Sequence, residues 1–170
     1  MSDPLQDKLD TLAGLLVDGS PHAVALGLKL VSVSPGEAVI RAPYQDASIG
    51  APDTGVMHGG VVTALLDHAC GTAAFAGLGG DQAVATLDLR LDYMRPARPG
   101  QDVIAVARTI KVSGLIAFVS AFAHDGDTED PVATAHAAFM VSRVSQAAAE
   151  RAKADFDEQA GATKTGGARS

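Results

Sequence analysis

Gly55-Val56-Met57-His58-Gly59-Gly60-Val61-Val62-Thr63-Ala64-Leu65-Leu66-Asp67, continuing through His68-Ala69-Cys70-Gly71-Thr72-Ala73-Ala74-Phe75, contains no proline and closes on Gly77-Leu78-Gly79-Gly80. Ala, Leu and Val dominate residues 61–75, so the stretch reads as a helix with a glycine stop, spanning about 60–76 with its end residues. Its apolar positions Val61, Val62, Leu65, Leu66, Ala69, Ala73, Ala74 and Phe75 cover almost the whole circumference. A helix of that kind is buried on most sides, and a sheet must surround it.

The rest of the chain supplies that sheet. Residues 28–33 and 38–42 flank Ser34-Pro35-Gly36-Glu37 and read as a first hairpin. Beyond the helix, extended segments are expected at 84–94, 102–112, 115–124 and 132–142, the last three as a meander. Leu87, Leu89, Leu91 and Tyr93 alternate with Thr86, Asp88, Arg90 and Asp92, the period of a strand with one buried face. Strict alternation puts Thr86 on the polar face. Residues 45–55 read as a loop, and 4–17 as a short amphipathic helix ending before Gly19-Ser20-Pro21. The fold class is α+β, an antiparallel sheet around one long central helix with a short N-terminal helix. Residues 1–20 form that helix and its link, 21–145 the domain, and 146–170 a surface helix and frayed tail.

At 170 residues, 47% of them hydrophobic, the chain can bury one sizeable core. A single cysteine, Cys70, leaves no internal disulfide and fits a reducing compartment, so the cytoplasm is expected. No apolar run reaches the roughly 20 residues needed to span a bilayer, so no membrane partner is expected. The formal charge of −7, with no Trp and two Tyr, argues against nucleic acid as a partner. His124 and His136 stand apart, the acidic group Asp125, Asp127, Glu129 and Asp130 reads as a solvated turn, and no metal or other cofactor is expected.

Asp67 and His68 are the only residues of the central helix that ordinarily ionise near or below neutral pH. A carboxylate among apolar residues is costly without a partner or a task. Its helical neighbours Thr63, Ala64, Cys70 and Gly71 are small and leave a groove where a substrate could lie. A structural aspartate that satisfies a loop or a neighbouring subunit accounts equally for that residue. His58-Gly59-Gly60 stands where the helix begins, and the N–H groups there lack intrahelical acceptors, so a developing oxyanion is suited to that position. A glycine turn that merely packs the helix entry is the alternative.

The run from Gly55 to Asp67, followed by Ala69-Cys70-Gly71-Thr72-Ala73, resembles the signature of hotdog thioesterases related to the phenylacetate-pathway thioesterase. Thr86-Leu87-Asp88-Leu89-Arg90-Leu91-Asp92-Tyr93-Met94-Arg95-Pro96-Ala97 is similar to that family's strand and turn, and the likeness spans roughly residues 25–143. The resemblance implies an acyl-CoA thioesterase on a hotdog fold. Asp67 would be general base or nucleophile, the Gly59 N–H would polarise the thioester carbonyl, His58 and Gly60 would shape the loop, and Thr86 would help place water. It also implies a homodimer, or a tetramer built of two dimers, with the glycine pair of one chain facing the aspartate of another. Arg95 and Arg98 are candidates for the CoA phosphates and Gly71 for the substrate groove. Many relatives carry Asn or Gln where this chain has Pro52, which leaves Asp53 as the adjacent polar candidate. A hotdog protein that binds acyl-CoA without cleaving it, and a hotdog hydratase or dehydratase, are the competing functions.

Overall fold

The computed structural model describes residues 3–80 and 82–143. In chain order it forms α1 (Pro4–Asp18), α2 (Pro21–Ala25), β1 (Lys29–Ser34), β2 (Glu37–Ala42), a single 3-10 turn (Asp46–Ser48), β3 (Ile49–Ala51), β4 (Val56–Met57), α3 (Gly59–Gly77), β5 (Gln82–Tyr93), β6 (Val103–Ser113), β7 (Ile116–His124) and β8 (Ala133–Arg143). The surface helix and tail expected from residue 146 onward lie outside the described residues.

Six strands form one antiparallel sheet in the order β1-β2-β6-β7-β8-β5, while β3 and β4 pair as a separate ribbon. The sheet curls around α3, which buries Val61, Val62, Leu65, Leu66, Ala69, Cys70, Ala73 and Ala74. Opposite this helix the inner face of β6, β7 and β8 is largely alanine, with Ala105, Ala107, Ala117, Ala121, Ala123, Ala133, Ala135 and Ala137 all buried. Small side chains let the sheet backbone approach the helix closely, while each large helical residue contributes roughly 1.5–3 kcal/mol of burial. This is the hotdog arrangement, a long helix inside a curled antiparallel sheet. α1 seals one end, burying Leu9 and Ala13 beside Val33 and Ala76.

Curvature is obtained with bulges, one extra residue on one strand of a pair. The register slips between Leu30 and Ser32 in β1, Thr86 and Asp88 in β5, and Thr109 and Lys111 in β6. The β5 bulge overturns the strict alternation expected there. Thr86 pairs with Phe139, Leu89 with Ala137, Leu91 with Ala135 and Tyr93 with Ala133, and these β8 partners line the inner face. Thr86 therefore faces the helix, and Leu87, expected in the core, is 52% exposed. Residues 45–55, expected as loop, contain the 3-10 turn and β3; the first helix ends on Gly19 as its C-cap, and Ser20 at once caps the start of α2.

Candidate active site

His58 reaches the start of α3 because the preceding ribbon holds it from several sides. Its N–H donates to the Ser48 carbonyl at 2.8 Å. β3 passes so near that a Cβ on Gly50 would lie 2.8 Å from His58 Cα, so this crossing requires glycine. The Tyr44 hydroxyl donates to the Gly55 carbonyl at 2.7 Å and anchors the far end of the ribbon.

His58 is the N-cap of α3, in extended conformation at φ −62° and ψ 132°. Its Nδ1 accepts the Gly60 N–H at 2.9 Å, while its carbonyl accepts the Val61 N–H at 2.9 Å. The unsatisfied donors of the first turn are thus reduced. The Gly59 N–H has no acceptor among the described residues, and Gly59 is exposed. Of the glycine pair, Gly59 is the one that offers an open donor at a helix N-terminus.

Asp67 lies two turns further along, half-buried, where α3 faces β5. Its Oδ1 accepts the Thr86 hydroxyl at 3.0 Å, and its Oδ2 has no partner among the described residues. Thr63 and Gly71, one turn to either side, are also half-buried and small. Among the described residues no strand pairs with β5 on its outer edge, so this helix face opens at the rim of the sheet. A carboxylate with one oxygen tethered and the other available can accept a proton from a bound water.

The remaining groups are distributed elsewhere. Cys70 points inward; burial, then the charge of Asp67, pushes its thiol up to about 12, which makes it a packing group. His68 turns toward α1, its Nε2 3.2 Å from the Leu16 carbonyl, and burial lowers its pKa. Asp53 is exposed in the turn between β3 and β4, without a described contact to Asp67. Arg95 is committed internally. Its two terminal nitrogens donate to Asp125 at 2.7 Å each, and its Nε donates to Asp130 at 2.8 Å. Arg98 donates its backbone N–H to Asp125, and its side chain remains 54% exposed. The acidic turn therefore departs from its solvated reading at one place, because Asp125 is buried. Among the described residues no cluster of metal-binding side chains occurs.

Two groups at the site were not singled out from sequence. The Tyr93 hydroxyl donates to the Gly59 carbonyl at 2.7 Å, and the Thr63 hydroxyl lies 2.6 Å from it and 3.1 Å from the same carbonyl. Gly59, Thr63 and Asp67 recur every fourth residue, so their common face was readable; that β5 runs along it was not.

An exposed donor at the helix entry and a tethered carboxylate two turns on thus share one face of the central helix of a hotdog scaffold. The family model described as the thioesterase superfamily matches residues 54–132. A protein of Pseudomonas aeruginosa known from its crystal structure is 36% identical, with 81% of this chain and 98% of that one covered and a TM-score of 0.71. A variant of the phenylacetic acid degradation protein PaaI from Thermus thermophilus is 29% identical over 74% of this chain and 100% of that one, with a TM-score of 0.62. Human acyl-coenzyme A thioesterase 13 is 29% identical over 93 residues, 55% of this chain. The chain covers 61% to 64% of the length of that protein and of two other curated relatives. The chain belongs to the hotdog-fold thioesterase superfamily and is related to PaaI.

Proposed function

We propose that this protein hydrolyses acyl-CoA thioesters, with Asp67 activating water and the Gly59 N–H receiving the oxyanion. The observation that carries the reading is the pairing on one open helix face of a carboxylate tethered by Thr86 and an uncommitted backbone donor. Asp67 takes a proton as the water oxygen bonds to the thioester carbon. The carbonyl electrons move onto oxygen, opposite the Gly59 N–H, and return as the carbon–sulfur bond breaks. The departing thiolate then takes up the proton, leaving CoA and a free acid. General-base assistance supplies about 10²–10⁴-fold, and one oxyanion donor about 10²–10³-fold.

Helix geometry adds a condition. Asp67 is eight positions on from Gly59, so the two stand about 12 Å apart along the axis at 1.5 Å per residue. That span is long for one carbonyl and its attacking water, which favours a site shared between two chains. A pair of chains, each offering its Gly59 to the other's Asp67, satisfies the requirement and covers the free edge of β5. The relation to human acyl-coenzyme A thioesterase 13 supports acyl-CoA as the substrate class.

The test is thiol release from short, medium, long and aromatic acyl-CoAs by the purified chain and by Asp67→Asn. The expected result is turnover of at least one class and a loss of about 10²-fold or more in the variant, with its oligomeric state retained. Equal turnover by the variant overturns the mechanism. Stoichiometric binding without thiol release overturns the activity in favour of a binding protein, and loss of enoyl-CoA absorbance favours a hydratase.

A further inference from the structure

The Gly59 N–H can act as an oxyanion donor only if its direction is fixed, and glycine is the residue least able to fix it. Two peptide planes meet at Gly59. The plane before it carries the His58 carbonyl, held by the Val61 N–H at 2.9 Å. The plane after it is tethered at both ends: its N–H, that of Gly60, donates to His58 Nδ1, and its carbonyl accepts the Tyr93 hydroxyl at 2.7 Å, with the Thr63 hydroxyl 3.1 Å away. Tyr93 and Thr63 also touch each other at 2.6 Å, so the two hydroxyls and the Gly59 oxygen form a closed triangle.

We propose that Tyr93 is a positioning residue, acting with Thr63 to aim the Gly59 N–H; this rests on the thioesterase reading above. The tyrosine is suited to the task because it comes from the strand that also supplies Thr86. One face of β5 thus restrains the donor through Tyr93 and the carboxylate through Thr86, with Leu89 and Leu91 packed between them. The ring stands at the rim of the sheet, 52% exposed, so its hydroxyl contributes orientation more than core packing. A change in donor direction alters oxyanion stabilisation more than ground-state binding, so the effect falls on kcat.

The decisive variants are Tyr93→Phe, Thr63→Val and the pair together, each in the full chain. In the free protein, nitrogen-15 relaxation and hydrogen exchange of the Gly59 amide are compared with those of Val61. The expected result is a Gly59 amide that gains mobility and exchanges faster in Tyr93→Phe, more so in the double variant, with Val61 unchanged. In turnover, kcat is expected to fall about tenfold in Tyr93→Phe with KM near its original value, a part of the roughly 10²–10³-fold lost when an oxyanion donor is removed outright. An unchanged Gly59 amide in the double variant overturns the clamp. A lower melting temperature with unchanged kcat overturns the positioning role and leaves a structural one. If the parent chain releases no thiol from any acyl-CoA, the thioesterase reading fails, and the amide measurement still decides the clamp.

Discussion

Asp125 is the residue on which the turn after β5 depends. It is buried at 4% exposure, accepts both terminal nitrogens of Arg95 and takes a third hydrogen bond from the Arg98 N–H at 2.7 Å. The Arg95 hydrogen bonds outweigh the burial that opposes ionisation, and with the Arg98 N–H they hold the carboxyl at about 2. Asp125→Ala leaves Arg95, 19% exposed, with Asp130 as its remaining carboxylate, so the change is expected to cost about 3 kcal/mol in urea unfolding, the lower end for breaking a buried pair. Asp130→Ala, whose side chain is 58% exposed, is expected to cost about 1 kcal/mol or less. The sign of the pH effect follows from the depressed value. Relative to an unfolded aspartate near 3.9, the contribution is fully present above about pH 4 and lost as pH falls through about 2. Asp102, lowered chiefly by the Tyr44 N–H and also by Arg41, contributes in the same direction. Unfolding midpoints between pH 5 and pH 2 should therefore fall less steeply in Asp125→Ala than in the parent; parallel slopes would remove Asp125 as a source of acid sensitivity. The sequence did not disclose this role, because its acidic neighbours give Asp125 the composition of a solvated turn. The burial comes from the Arg95-Pro96-Ala97 turn packing over it, with Ala97 also buried.

Among the elements, those with a strong period were readable and those made by tertiary contact were not. The central helix, expected over 61–75, extends over Gly59–Gly77, and the four long strands fall within two residues of their expected bounds. Apolar runs ended by glycine or proline carry that information locally. The placement of β5 beside β8 and its bulge at Leu87 carry no local signal, because both answer to how the sheet closes around α3. For the same reason the hydroxyl that holds Asp67 was placed on the polar face by alternation alone. β3 is three residues long and β4 two, too short to show a period, and their role is to bring His58 to the helix entry. That role makes Gly50 a sensitive position. Gly50→Ala would drive a Cβ to 2.8 Å from His58 Cα and 2.9 Å from its Cβ, so backbone must move. The expected outcome is about 1–3 kcal/mol of destabilisation together with slower thiol release, since the displaced residue caps Gly60. Gly71→Ala is the matched control on α3. Its added carbon would meet Phe139 at 3.4 Å, an ordinary contact, and alanine in a helix interior is expected to add roughly 0.5–1 kcal/mol. Thermal unfolding that moved Gly50→Ala and Gly71→Ala alike would contradict this assignment of the close crossing.

For the molecule as a whole, the proposed function makes the site described on one chain two halves of different sites. β5 is twelve residues long and has one edge unpaired among the described residues, and Leu87, Tyr93 and the following Met94 are 52%, 52% and 61% exposed. An edge of that length and apolarity invites pairing with another strand, and a two-fold pairing there turns each exposed helix face toward a partner. Gly59→Pro provides a narrow test of the division of labour. Proline is accepted at the first helical position, its ring removes only the N–H in question, and His58 already has the extended conformation that a residue before proline prefers. Its Cβ would meet the Tyr93 hydroxyl at 3.4 Å, without a clash. Alone, Gly59→Pro lacks the oxyanion donor and Asp67→Asn lacks the base, so each homodimer is expected to be inactive. Unfolded together and refolded in equal amounts, half of the dimers contain one chain of each kind. In these, one of two sites unites an intact Gly59 with an intact Asp67, and about a quarter of parental thiol release should return. No recovery, with mixed dimers demonstrated by mass spectrometry, would place both groups on the same chain, against the roughly 12 Å that the helix puts between them.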